Sequence, residues 1–180
     1  MSCISIAARP LACGAEGNMG GLQPKLYMIS HQDLGTVSGT TTYTTSSAGM
    51  VNAIGLDASK KYVEVGLLKN TASMAETMTK NQQTASLYFT QTLTMVLGGL
   101  SIENRTFIDS VKNQPVSVLI QTRSGSWYVA GLNGLFELAT VEGGTGTAEG
   151  DLNGYNLTFT GVDTDMMKLV DPTIVAGLIA

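Results

Sequence analysis

Apolar and polar residues alternate with a period of two over much of the chain, the pattern of strands that bury one face. Residues 25–30 (KLYMIS) predict one strand. Residues 50–56 and 61–68 predict two more, joined by the turn-forming Asp57-Ala58-Ser59-Lys60. In the second of these, Val63, Val65 and Leu67 point one way, and Tyr62, Glu64 and Gly66 the other. Residues 71–96 predict a long hairpin turning at Asn81-Gln82-Gln83. Its second arm sets Leu87, Phe89, Leu93, Met95 and Leu97 on one face, and Tyr88, Thr90, Thr92 and Thr94 on the other. In its first arm Met74, Glu76, Met78 and Lys80 alternate with Ser73, Ala75, Thr77 and Thr79. Met, Ala, Glu and Lys also favour helices, so a helix competes with a strand there.

A helix is predicted over residues 101–112. Ser101 is placed to cap it, Glu103 and Lys112 suit the two ends of its dipole, and Phe107, Ile108 and Val111 form a short apolar stripe. Pro115 follows its exit. Residues 116–122, 126–132, 135–140 and 155–160 predict an antiparallel meander of four strands. Arg123-Ser124-Gly125 and Asn133-Gly134 supply its tight turns, and a Gly-rich loop spans residues 142–154.

The remaining segments lack a clear period. Residues 1–24 predict an extended arm. Residues 36–47 predict a loop, since nine of these twelve are Ser or Thr. Residues 163–180 predict a tail with enough apolar content to dock on its own domain or on a neighbour. The expected fold is mainly β: an antiparallel sandwich or barrel over residues 25–162, one domain, flanked by the single helix.

Composition narrows the function. The chain has 180 residues, of which only 13% are charged, about half the usual share. A surface with so few charges suits packing against copies of itself. The net charge is −4, which excludes a protein that grips nucleic acid by neutralising phosphates. Cys3 and Cys13 lie close together near the start and cannot frame the fold; reduced thiols are expected. No apolar run of about 18 residues is present, so no membrane-spanning helix is expected. Pro10-Leu11-Ala12-Cys13-Gly14 superficially resembles a lipoprotein cleavage site, but no basic start precedes it and Arg9-Pro10 interrupts the apolar run. Without export, Asn104-Arg105-Thr106 and Asn156-Leu157-Thr158 are chance matches to glycosylation sites.

Candidate chemistry is thin. His31 is the only histidine and no nucleophile elbow accompanies it. Gly143-Gly144-Thr145-Gly146-Thr147 lacks the lysine of a phosphate loop and leads into a strand. Glu142, Glu149, Asp151, Asp163 and Asp165 lack the spacing of a calcium loop. Trp127 and Tyr128 lie in a predicted core hairpin. No enzyme, metal site or cofactor is expected.

Several segments carry a resemblance. They are residues 118–131 (VLIQTRSGSWYVAG), Asn133-Gly134-Leu135, Thr145-Gly146-Thr147 and residues 151–161 (DLNGYNLTFTG). Asn18-Met19-Gly20-Gly21-Leu22 shortly before Lys25-Leu26-Tyr27-Met28-Ile29 adds to them. Together these resemble the tail tube proteins of tailed bacteriophages, particularly phages of Bacteroidetes, whose fold is similar to that of type VI secretion tube proteins. The resemblance implies a β-sandwich that forms homohexameric rings, with inner strands closing into one barrel and rings stacking into a hollow tail tube. Genomic DNA would pass through the lumen during ejection without specific binding. Other partners would be the tape measure, tail terminator and distal tail or baseplate proteins, in a virion assembled in the host cytoplasm.

Combined with that resemblance, the hairpin is the expected barrel wall. Tyr88, Thr90, Thr92 and Thr94, with Thr77 and Thr79, would line the lumen. Leu87, Phe89 and Leu93 would pack on Phe107, Ile108 and Val111. A one-residue slip exchanges these faces, so the parity stays open. Asn18, Met19, Leu22, Thr41, Tyr43, Leu169, Ile174 and Leu178 are candidates for contacts between rings. Two other readings stand beside this one: a ring-forming head–tail connector or other virion protein, and a secreted β-sandwich such as a surface lipoprotein or carbohydrate-binding module.

Overall fold

A strand that is apolar on both faces must be covered on both faces. Among the described residues, two long strands show this along their length. The strand Leu22–Ser30 (β1) turns Leu22, Leu26 and Met28 one way and Tyr27 and Ile29 the other, all buried. Val116–Thr122 (β7) likewise divides Val116, Val118 and Ile120 from Ser117 and Leu119. In the computed structural model, which describes residues 19–180, these two strands pair antiparallel inside a seven-stranded sheet. The other members are Tyr43–Thr45 (β2), Val51–Ile54 (β3), Val63–Gly66 (β4), Trp127–Ala130 (β8) and Lys168–Val170 (β11), in the order β2-β3-β11-β8-β7-β1-β4.

A second sheet is wholly antiparallel. It contains Ser73–Asn81 (β5), Ser86–Gly98 (β6), Phe136–Gly144 (β9) and Gly154–Asp163 (β10), in the order β5-β6-β10-β9. The first core lies between the sheets, where Leu93, Met95, Leu97, Phe136, Leu157 and Phe159 meet the inner residues of β1 and β7. The Phe136 and Phe159 rings stack with centroids 6.1 Å apart. Neither sheet closes into a barrel, and the protein is a mainly β, sandwich-like fold with 49% strand and 12% helix.

The helix Ile102–Val111 (α1) borders the first core with Val111 buried and Phe107 and Ile108 half-buried. Ser101 caps it by accepting from Asn104 N at 3.2 Å. The Glu103 backbone N–H and the Ser101 hydroxyl hold the Glu103 carboxyl below the usual carboxylate range. A second core lies on the far face of the seven-stranded sheet, around Tyr62, Val51, Leu119 and Val129. It is covered by a second helix, Pro172–Leu178 (α2), through Val175 and Leu178. Asp171 caps this helix, accepting from Thr173 N at 2.9 Å, and Pro172 sits in its first turn.

The hairpin over residues 71–96 is present, and its first arm is a strand, β5, rather than the competing helix. Other sequence expectations change. The strand expected to begin at Lys25 begins at Leu22. The Ser/Thr-rich segment holds a short strand, β2, on β3. The C-terminal residues 163–180 are built into the fold: β11 fills the gap between β3 and β8, and α2 adds a helix that periodicity did not predict.

The largest correction concerns Asn133-Gly134. No hairpin forms there; β8 stays in the seven-stranded sheet and β9 enters the other. Asn133 does not take the positive φ that a type I′ hairpin turn requires, and instead its side chain accepts from Leu135 N at 3.0 Å. The expected four-stranded meander is therefore two pairs on opposite sheets. The corner turns at Gly131 (φ +78), where a Cβ would lie 2.2 Å from Val116 O.

Candidate functional site

The sheet β5-β6-β10-β9 has one face on the core and the other on solvent. Register alone assembles the solvent face. Tyr88, Thr90, Thr92 and Thr94 stand opposite Thr79, Thr77, Ala75 and Ser73. Across the next junction Thr94 faces Thr158, Thr92 faces Thr160 and Thr90 faces Val162. Thr158 in turn faces Thr140 and Thr160 faces Glu137, with a bulge between Thr158 and Phe159 re-phasing β9. The result is a hydroxyl-rich layer across four strands, interrupted by Ala75 and Val162. Ser73 Oγ and Thr94 Oγ1 bond within it at 2.6 Å. Its strand residues include two carboxylates, Glu137 and Glu142, both on β9, and no Lys or Arg.

The core side of β6 changes character along its length. Leu93, Met95 and Leu97 are buried in the core that Phe107, Ile108 and Val111 border. Gln91, only 4% exposed, marks its end; its amide reaches Glu76 Oε1 at 3.5 Å, and that carboxylate also accepts from Met167 N. Beyond it Phe89 is half-buried and Leu87 is 44% exposed. The expected packing of Leu87 and Phe89 on the helix is corrected: β6 is longer than the core it covers, and its first turns overhang.

The candidates for contacts between rings are divided by the fold. Leu22 and Leu178 are buried in the chain's own two cores, and Tyr43 and Ile174 pack half-buried against the second. Their apolar surface is already used, so they are withdrawn from that role. Met19, Thr41 and Leu169 remain exposed. Asn18, Cys3 and Cys13 lie outside the described residues.

The other sequence candidates have local partners. His31 Nε2 is 3.2 Å from Leu132 O, so the ring bonds the backbone at the sheet-switching corner. The Gly-rich loop folds on its own carboxylate: Asp151 accepts from Thr147 N and Ala148 N, both at 2.8 Å, and these bonds hold its carboxyl below the usual range. Trp127 packs against Tyr27 with centroids 6.0 Å apart, so its ring is committed to the second core. Among the described residues, no three His, Cys, Asp or Glu side chains are grouped to hold a metal, and no helix is long and apolar enough to cross a membrane.

Sequence reasoning missed the two edges of this sheet. Among the described residues, β5 and β9 each run nine residues with no strand beyond them, and neither contains a proline. Edge strands of that length are ordinarily blunted or covered, because they offer a free template for another chain. The sequence shows that both are strands but not that both are outermost. Compared with known proteins, the chain matches no family model, and no curated protein or solved structure matches it either.

Proposed function

We propose that this chain is the subunit of a phage tail tube: copies join edge to edge into hexameric rings, and rings stack into a hollow conduit for genomic DNA. The observation that supports this reading is the hydroxyl-rich, cation-free face of the four-stranded sheet, flanked by two edges that no strand among the described residues covers. Joined laterally, such sheets form a closed barrel whose edges no longer exist. Four antiparallel strands alternate in direction, so β9 of one copy meets β5 of the next antiparallel without any rearrangement. Six copies, the number implied by the resemblance, would close about 24 strands into a barrel roughly 45 Å across between backbones.

The lining suits passage. Lys or Arg on this face would hold phosphates at many points in every ring, releasing counterions and trapping the strand. Threonine hydroxyls offer DNA neutral contacts, and Glu137 and Glu142 repel it weakly. Tyr88, Thr90, Thr92, Thr94, Thr77 and Thr79 would then face the lumen. In this reading the subunit works in the virion, meets the tape measure inside the tube and terminator and distal tail proteins at its ends, and performs no catalysis.

Negative-stain electron microscopy of the purified, untagged protein at high concentration tests the reading. Rings or stacked tubes with six-fold end views are the expected result. Uniform small particles at every concentration would overturn it.

A further inference from the structure

We infer that neighbouring copies join β5 to β9 in one register, with Met78 of one copy directly opposite Val141 of the next. The inference rests on the ring reading and deepens it.

The hydrogen-bond phase of the sheet is the starting point. Just beyond β6 and β10, Gly99 N donates to Asn153 O at 2.8 Å, in the same register that pairs Gly98 with Gly154. Opposite residues in an antiparallel ladder alternate between exchanging both backbone bonds and exchanging none. Odd-numbered residues of β6 therefore bond to β10, and even-numbered ones to β5. Through Thr90 opposite Thr77, the odd-numbered residues of β5 spend their backbone groups on β6. Those of Met74, Glu76, Met78 and Lys80 point out of the edge. The same count through Thr158 opposite Thr140 leaves Val141 and Gly143 pointing out of the other edge. Among the described residues, no backbone hydrogen bond from outside the sheet reaches these six.

The side chains agree with the backbone. All six positions are out of phase with the threonine layer, so the five that carry side chains direct them to the core side of the sheet. Joining the two edges then continues the hydrogen-bond ladder and the pleat together.

In-phase joins differ by steps of two residues, and side-chain chemistry selects among them. Met78 (56% exposed) and Val141 (40% exposed) are the large apolar core-side residues that a single chain leaves uncovered on these edge strands. Setting them opposite each other covers both. It also puts Glu76 opposite Gly143, which has no side chain to crowd the carboxylate, and Thr79 opposite Thr140. A step of two either way puts Glu76 or Lys80 against Val141. A step of four puts Met74 there, which already packs on the first core, and leaves Met78 without Val141.

Paired cysteines test the register. Met78→Cys and Val141→Cys are combined in a chain carrying Cys3→Ser and Cys13→Ser, assembled and mildly oxidised. Bonded opposite residues have Cα atoms about 5.5 Å apart, within the span of a disulfide. Inside one chain the two edges are three strand spacings apart, about 14 Å, and cannot be bridged. The expected result is a ladder of covalent multimers that collapses on reduction. Thr79→Cys with Thr140→Cys should give the same ladder. Met74→Cys with Val141→Cys, displaced about 13 Å along the strand, should stay monomeric. A ladder from the Met74 pair alone would overturn the register. Dimers from Met78→Cys alone would show β5 pairing with β5 about a two-fold axis, and would overturn the junction. Ring preparations that give no ladder from any pair would overturn it while leaving the ring reading intact. If the unsubstituted protein forms no rings, the ring reading fails and this inference fails with it.

Discussion

Tyr62 Oη donates a hydrogen bond to Ser117 Oγ at 2.8 Å in the second core. The direction follows from Ser117, whose one hydroxyl proton goes to Ala130 O at 3.1 Å. Both residues are fully buried. The tyrosine backbone is held as firmly: its N–H donates to Leu178 O at 2.9 Å, and its carbonyl accepts from Ala180 N at 3.0 Å. Tyr62 thus ties the β7–β8 pair through its side chain, 55 residues further along the sequence, and the end of the C-terminal helix through its backbone.

Burial pushes the Tyr62 phenol up from 10.0 to about 12, only partly offset by the bond to Ser117. The fold therefore favours the neutral phenol. Its contribution is complete below pH 10 and is lost as the pH rises toward 12, on the order of 3 kcal/mol over that window. Urea denaturation at a series of pH values should show the fall, and Tyr62→Phe should remove most of it. Equal pH dependence in the two proteins would show that Tyr62 is not the group responsible.

Leu87 and Leu93 share a face of β6 but not an environment. Leu93→Ala should cost about 2–5 kcal/mol by leaving a cavity between the sheets. Leu87→Ala should change stability by less than about 1 kcal/mol, because its side chain overhangs the core. Thermal unfolding of the two variants side by side checks the difference; similar losses would mean that the overhang is covered in solution.

Gly131 and Gly99 both have positive φ, near +78 and +85, yet only one is crowded. Gly99→Ala should carry the backbone penalty alone, roughly 1–2 kcal/mol. Gly131→Ala adds a Cβ 2.2 Å from Val116 O and should prevent the chain from switching sheets, giving insoluble or unfolded protein. Soluble, cooperatively unfolding Gly131→Ala protein would show that the corner can open by another route.

Thr90→Lys with Thr92→Lys places two cations on the hydroxyl face without touching either core. The folded subunit and its rings should persist, while duplex DNA should now be retained, and released by raising salt. Loss of assembly with the subunit still folded would instead place these threonines in a contact between copies.

Hydroxyl and apolar positions alternate so regularly from Ser86 to Gly98 that the two faces of β6 are legible from the residues in order. The capped helix near Ser101 is legible for the same reason: its signals lie within a few residues of one another. Period-two alternation and end-capping are local, and the backbone geometry that reads them is local as well.

Pairing between distant strands is a different matter. Asn133-Gly134 carries a strong hairpin signal, yet the chain switches sheets there, because Gly131 packs against Val116 and Asn133 Nδ2 donates to Val162 O at 2.7 Å. Neither partner is near in sequence. Leu22 and Leu178 stood as candidates for contacts between rings because their segments lack a period, but each completes a core whose other members lie far along the chain. Whether β5 and β9 are edges depends on every other strand having found its place first. Alternation along a chain is a property of neighbouring residues, whereas which face is covered, and which edge is left open, is decided only when distant elements compete for the same surface.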